Sequence, residues 1–227
     1  GSELAPILAK AKGVQVFLAK ELLVRMRLAK FGVVTNTMLW YFVISTGISL
    51  LNVFVFEISN FALIGFILMF VLFFRNYGNP IAQETSMNWL FLVPESPYKK
   101  VFYSMAAGTC ATFLDLLPAM LVATIMMKLN PLVVLLWYVV LITMDFMLSG
   151  VGLLLEAIFP ASALDAVKST LQLVLKFVVI LFIVVAIVVG VVLGSLELGL
   201  MINLVMNLVI GAVTFMIYPA MLHEGIS

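Results

Sequence analysis

Residues 31–56 read FGVVTNTMLWYFVISTGISLLNVFVF, which is 26 consecutive residues without a charge. About 20 apolar residues in helical form cross the hydrocarbon core of a bilayer, so this stretch is long enough to span it. The whole 227-residue chain has the same character, since 65% of its residues are hydrophobic and 10% are charged. An ordinary soluble domain is about 25% charged. The composition therefore excludes a water-soluble fold and indicates an all-α, polytopic membrane protein.

Five further apolar runs follow this first one, separated by charged residues and turn signals. The shortest lies between Glu57 and Arg75 and crosses only if the bilayer thins or flanking side chains reach outward. The connector Lys128–Pro131 predicts a hairpin between the third and fourth runs. We therefore predict six transmembrane helices, over residues 31–56, 58–74, 101–127, 131–159, 177–196 and 199–222.

The basic residues predict the orientation, because cytoplasmic loops are rich in Lys and Arg. With the N-terminus inside, 11 of the 12 basic residues fall on the cytoplasmic side, Arg75 and Lys176 among them, and only Lys128 falls outside. Both termini are then cytoplasmic, and the external loops are short. We expect a multi-pass protein of the cell membrane, in a bacterial plasma membrane.

Residues 1–30 form a separate segment ahead of the six-helix domain, which covers residues 31–227. Along residues 14–30, apolar side chains recur at helical spacing and basic side chains lie on the other side, a pattern typical of an amphipathic helix. Such a helix lies flat in the inner headgroup layer. It is either a simple membrane anchor or an elbow helix that also contacts a cytoplasmic partner.

The predicted cytoplasmic loop between the second and third helices, residues 75–100, reads RNYGNPIAQETSMNWLFLVPESPYKK. Polar residues around position 86 offer N-cap oxygens for a short helix, and Pro94 and Pro97 end it. This helix exposes apolar side chains, which either dock on a partner protein or dip into the lipid interface. Those side chains are Met87, Trp89, Leu90 and Phe91.

This loop resembles that of the ABC-type export permeases of the second integral-membrane class, which have the type V exporter fold. In that family an acidic residue and a short helix precede Leu-x-x-Pro-x-Ser-Pro and basic residues. The six spans, inward termini and N-terminal elbow agree with it, and a peptide-exporter permease is one candidate within it. Phe91 stands at the leucine position. The matching residues are Glu84, Pro94, Ser96, Pro97, Lys99 and Lys100.

The resemblance implies a coupling helix around residues 80–97 that seats in a groove of a separate ATPase subunit. It also implies a permease dimer, with a second copy or a related chain, that works with two ATPases. Short re-entrant helices often lie between the last two spans of such permeases; here they are either absent or part of the span ends. The residues that we expect to couple to the ATPase are Glu84, Met87, Trp89, Leu90, Phe91, Pro94, Ser96 and Pro97.

The 227 residues contain no G-x-x-x-x-G-K-[ST] phosphate loop. We therefore expect ATP and Mg²⁺ to bind in the partner ATPase and no cofactor to bind this chain. No His, Cys, Asp and Glu cluster has metal-ligand spacing, and His223 is the single histidine, so we expect no metal site and no catalytic triad. The basic residues form no broad surface for nucleic acid.

Asp115 and Asp145 fall near the middle of consecutive predicted helices, where an Asp costs roughly 2.5–3.5 kcal/mol to insert. Each carboxyl group must therefore face protein or water. With Thr112, the two aspartates either line a translocation path or form polar packing, or they take part in proton coupling. Gly190 and Gly194 form a GxxxG pattern, which predicts a close helix crossing, with a dimer interface as one place for it.

Three functions remain open. The first is the permease of an ATP-driven exporter that moves amphipathic or hydrophobic cargo, such as a peptide, lipid or drug, out of the cell. The second is an ion-coupled carrier or channel that uses Asp115 and Asp145, and the third is a membrane scaffold that transports nothing. The apparent docking loop favours the exporter.

Overall fold

A computed structural model describes residues 13, 15–16, 19–20, 23, 34–56, 60–75, 95–158 and 165–224. The regular elements in these ranges are helices, which confirms the all-α prediction for the described part of the chain. They are α1 (Asn36–Leu51, continued by a π-helical turn over Asn52–Phe56), α2 (Ala62–Arg75), α3 (Pro97–Met126), α4 (Pro131–Ile158), α5 (Asp165–Leu193) and α6 (Leu196–Glu224).

Three of these helices begin at a hydroxyl side chain that caps the first turn. Thr35, Ser96 and Ser195 each accept a hydrogen bond from the backbone N–H three residues further on, at 3.1, 3.4 and 3.1 Å. The first N–H groups of a helix have no partner within it, so such caps stabilise the start. In α3 the cap is followed by Pro97, which has no N–H to satisfy.

Within the described ranges, five helical segments are long and apolar enough to cross a membrane, so the chain is a multi-pass membrane protein. The helix α2 is shorter, with 14 residues, or about 21 Å of length against about 30 Å of hydrocarbon. The six-span count and the inward termini therefore stay predictions. The five long segments are Asn36–Phe56, Pro97–Met126, Pro131–Leu155, Leu173–Leu193 and Leu196–Ile217.

Tight turns join the helices in pairs at one end of the bundle, which we call the hairpin end. The turn between α3 and α4 is Met127–Asn130, with Lys128 at a φ of 51°. The turn between α5 and α6 is Gly194–Ser195, so no separate re-entrant helix stands within residues 165–224. The opposite end, where α3 begins and α4 ends, we call the loop end.

The helix α4 lies at the centre of the bundle. It packs most extensively against α6 and also contacts α2, α3 and α5. Its Trp137 is fully buried against α2, where a Cβ added to Gly65 would lie 2.4 Å from the indole ring. The short helix α2 is therefore held tightly against α4, and this contact positions its last residue, Arg75.

The predicted amphipathic segment lies mostly outside the described residues. Gln15, Val16, Ala19, Lys20 and Leu23 are described and helical, and Ala19 and Leu23 among them are buried. Its role as an anchor or elbow helix stays a prediction.

Candidate functional site

One guanidinium lies between the two aspartates that the sequence places in neighbouring spans. The Nη2 atom of Arg75 lies 2.9 Å from Oδ1 of Asp145, and its Nη1 atom lies 3.9 Å from Oδ2 of Asp115. Thr112 donates a hydrogen bond to the second oxygen of Asp145 at 2.8 Å and also contacts Arg75. We call Arg75, Thr112, Asp115 and Asp145 the charged cluster.

The start of α1 adds a fourth helix to this site. Thr35 donates a hydrogen bond from its hydroxyl to Oδ1 of Asp115 at 2.8 Å, while the same oxygen caps α1. The hydroxyl of Tyr41 is buried beside the three charges. The charged cluster thus joins the start of α1, the end of α2 and the middles of α3 and α4.

The charged cluster lies deep in the bundle. At about 1.5 Å per residue, Asp115 and Asp145 lie about 17 and 21 Å from the hairpin ends of α3 and α4, and Arg75 lies about 20 Å from that of α2. The aspartates are 6% and 2% exposed. An ionised Asp in hydrocarbon is costly, and the ion pairs and hydrogen bonds offset that cost.

Arg75 is the residue that sequence reasoning missed, because the basic-residue count placed it at the cytoplasmic boundary. The structure places its guanidinium against the two carboxylates instead. Lys176, counted at the same boundary, is also buried, at 1% exposure. One signal was available, since the run that ends at Arg75 is the shortest of the six and crosses only if the bilayer thins or flanking side chains reach outward. Because this run is short, its last residue, Arg75, lies beside the intramembrane carboxylates of Asp115 and Asp145.

The buried side chains of α3 differ on the two sides of the charged cluster, being mixed polar and apolar toward the loop end and apolar toward the hairpin end. Toward the loop end, buried polar side chains follow one face of α3 at helical spacing, and Ser149 of α4 lies one turn from Asp145. Toward the loop end, the polar residues are Lys100, Ser104, Thr112 and Asp115, and they alternate with the buried apolar residues Val101, Met105 and Ala107. Toward the hairpin end, the buried residues are Leu116, Ala119, Met120 and Ala123. The charged cluster therefore closes the inner end of a polar seam.

Most of the predicted ATPase-coupling residues lie outside the described residues. They are Glu84, Met87, Trp89, Leu90, Phe91 and Pro94. Ser96 and Pro97 are described and start α3, as its cap and first residue. Glu95 forms an exposed ion pair with Lys99 at 3.2 Å, one turn into the helix.

The two glycines of the GxxxG pattern have different surroundings. A Cβ added to Gly190 would lie 2.0 Å from the Cα of Gly199, so this glycine lets α5 and α6 cross within one chain. Gly194 has a φ of 148° and lies in the turn after α5, with nothing within 4 Å of an added Cβ. The close crossing therefore pairs Gly190 with Gly199, and Gly194 serves the turn.

The chain matches a family model described as "Putative ABC exporter" over residues 6–224. The chain belongs to this family. It is therefore a membrane subunit of an ABC exporter, and the family implies partnership with an ABC ATPase. No curated protein and no solved structure matches the chain. Among the described residues, no group of three or more His, Cys, Asp or Glu side chains is placed to hold a metal ion.

Proposed function

We propose that this exporter subunit is a permease of the type V fold in which residues 75–100 carry motion from a separate ATPase to the charged cluster. The observation that supports this most directly is the position of Arg75. It is the last residue of α2 and the first of the predicted loop, and its guanidinium contacts carboxylates of α3 and α4. A displacement of the loop thus acts on three helices through one side chain.

The charged cluster can act as a latch, by which we mean that its ion pairs hold the bundle in one packing and their loss favours a second packing. When the end of α2 moves, Arg75 leaves Asp145 and Asp115, and two like charges stay behind in a low-dielectric site. Their repulsion and their need for water favour separation of α3 from α4. Closure of the ATPases on ATP would supply the displacement and shift the population toward the opened packing.

The polar seam on the loop side of the charged cluster suits the entry of the polar part of a cargo from the cytoplasm. The buried side chains of α3 beyond it are apolar and suit hydrophobic parts. We therefore propose amphipathic or hydrophobic cargo, with peptides, lipids and drugs as candidates and a peptide exporter as one specific form.

The assembly that we propose is a dimer of permeases, with a second copy or a related chain, and two ATPases that bind ATP and Mg²⁺. Six spans, an N-terminal elbow helix and both termini in the cytoplasm would place residues 75–100 on the ATPase side of a bacterial cell membrane. The coupling helix around residues 80–97 would then bury Trp89 and Phe91 in the ATPase groove, since exposed aromatic anchors act as interface hot spots.

Co-purification with the partner ATPase tests the docking loop. Replacing Trp89 and Phe91 together with Asp should abolish recovery of the ATPase, whereas the matched apolar pair Trp89→Phe and Phe91→Leu should retain it. Equal recovery with the Asp pair would contradict docking through this loop.

Transport by the reconstituted complex tests the latch separately. Arg75→Gln should leave ATPase binding intact and lose ATP-driven transport, with partial activity in Arg75→Lys. Wild-type transport in Arg75→Gln would remove the charged cluster from the coupling route. Transport by this chain alone, driven by a proton gradient and abolished by Asp115→Asn, would instead support an ion-coupled carrier.

A further inference from the structure

A groove of about 420 Å³ opens between the hairpin-end halves of α4 and α6. Its walls are apolar and include Leu132, Leu135 and Val139 of α4 and Met201 of α6. Among the described residues that line it, Glu197 in the first turn of α6 is the one charged side chain. The volume falls in the range of small-molecule sites, about 300–1,000 Å³.

The groove forms because α4 and α6 are close together farther from the hairpin end. There, a Cβ added to Gly150 would lie 2.4 Å from the hydroxyl oxygen of Thr214, and one added to Gly211 would lie 2.8 Å from the ring of Phe146. Helices in such close contact diverge along their length when they cross at an angle. The groove lies on the hairpin side of this close contact between α4 and α6.

A second groove beside it provides a comparison within the same molecule. It lies between α3 and α4, has about 210 Å³ and is lined by apolar residues such as Met120 and Leu121 with the hydroxyls of Thr124 and Tyr138. No charged residue lines it among those the structure describes. The carboxylate of Glu197 therefore distinguishes the α4–α6 groove from its neighbour.

The arrangement of charge and apolar surface defines a ligand class. Glu197 is exposed at the hairpin end, and Leu204 lies two helical turns deeper, about 10 Å along α6. The groove opens sideways, since Leu132 and Met201 are 73% and 54% exposed. A molecule that enters from the lipid with its chain between α4 and α6 would bring its headgroup to the carboxylate.

We propose that this groove binds an amphiphile with a cationic headgroup at Glu197 and an alkyl chain between α4 and α6. The charge complementarity selects such a molecule over the neutral and anionic lipids of the bilayer. The physiological role of such binding rests on the proposed function, in which the chain is the permease of an exporter. The binding itself requires no ATPase, so it is measured on the full chain alone.

Equilibrium binding of labelled dodecyltrimethylammonium to the full chain in nanodiscs of diglucosyldiacylglycerol, a neutral lipid without an ammonium group, tests the proposal. Glu197→Gln should weaken binding about fivefold, the scale of one partly exposed ion pair, whereas Glu197→Asp should retain it. Met201→Trp, which fills the groove, should also weaken binding. The control is Leu121→Trp in the neighbouring groove, because Leu121 and Met201 have the same 54% exposure. Dodecyl maltoside, a neutral probe, should bind wild type and Glu197→Gln equally.

Two outcomes would overturn the proposal. Equal affinity of the cationic probe for wild type and Glu197→Gln would mean that the groove holds ordinary lipid chains. A disulfide-linked dimer formed through Met201→Cys, with Cys110 replaced by Ser, would mean that a second copy covers the groove. If Glu197→Gln fails to fold, the affinities of Met201→Trp and Leu121→Trp for the cationic probe are compared instead. Equal affinities of these two variants would overturn the proposal. Loss of ATPase assembly would contradict the proposed function but leave these binding results unchanged.

Discussion

Arg75 and Asp145 form an ion pair of 2.9 Å, although 70 positions separate them in the sequence. The pair fastens the end of α2 to the middle of α4. The side chain of Arg75 is 31% exposed, while that of Asp145 is 3% exposed. The carboxylate of Asp145 is therefore buried, and the guanidinium of Arg75 is the more exposed partner of the pair.

Removing the guanidinium should destabilise the fold. Arg75→Gln leaves buried carboxylates without their cation, which costs about 3 kcal/mol for a pair of this kind. The double variant Arg75→Gln with Asp145→Asn should recover part of that loss, because both charges of the pair are then absent. The free energy of unfolding, measured by titration with dodecyl sulfate in mixed micelles, checks this. Lys128→Gln, an exposed cation in a turn, is the control, and an equal effect there would contradict the prediction.

The hydroxyl of Thr112 should contribute independently of the size of its side chain. Thr112→Val has nearly the same shape but removes the donor to Asp145, so it should cost about 1–2 kcal/mol. Thr112→Ser keeps the hydroxyl and should lose less. Unfolding titrations of both variants provide the measurement, and equal losses would show that the methyl group matters more than the hydrogen bond.

The crossing of α5 and α6 should not tolerate a side chain at Gly190. An added Cβ would lie 2.0 Å from the backbone of Gly199, so Gly190→Ala must push the helices apart and should cost about 1–3 kcal/mol. Gly47 in α1 is the control, since nothing lies within 4 Å of its added Cβ. Gly47→Ala should stabilise the chain by about 0.5–1 kcal/mol through helix propensity. Similar unfolding free energies for the two variants would refute the close crossing.

Two asparagines of α6, one turn apart, should respond in opposite ways to leucine. Asn203 is fully buried, and neither polar atom of its amide has a partner among the described residues. Asn207 donates to the carbonyl of Val140 at 3.4 Å and to the hydroxyl of Thr143 at 3.3 Å. Asn203→Leu should therefore be neutral or stabilising by about 1 kcal/mol, while Asn207→Leu should destabilise by a similar amount. Parallel unfolding titrations compare them, and equal losses would indicate that Asn203 also has a partner.

The membrane environment of this protein and much of its local structure follow from short stretches of the chain. A long uncharged run such as residues 31–56 requires a helix in lipid, because only a helix satisfies its own backbone hydrogen bonds there. The hairpin around Lys128 and the start of α3 at Ser96 and Pro97 depend on residues within a few positions of one another. The loop residues that carried the family resemblance are contiguous for the same reason.

The contacts between distant side chains depend on how the helices pack against one another. Hydropathy identified Asp115 and Asp145 as costly but could not name their partner, because Arg75 lies on another helix and its position depends on how α2 packs against α4. The glycine pattern likewise predicted a close contact, yet the partner of Gly190 is Gly199 across a turn. Pairing between distant residues depends on helix packing, and packing is a property of all the facing side chains together.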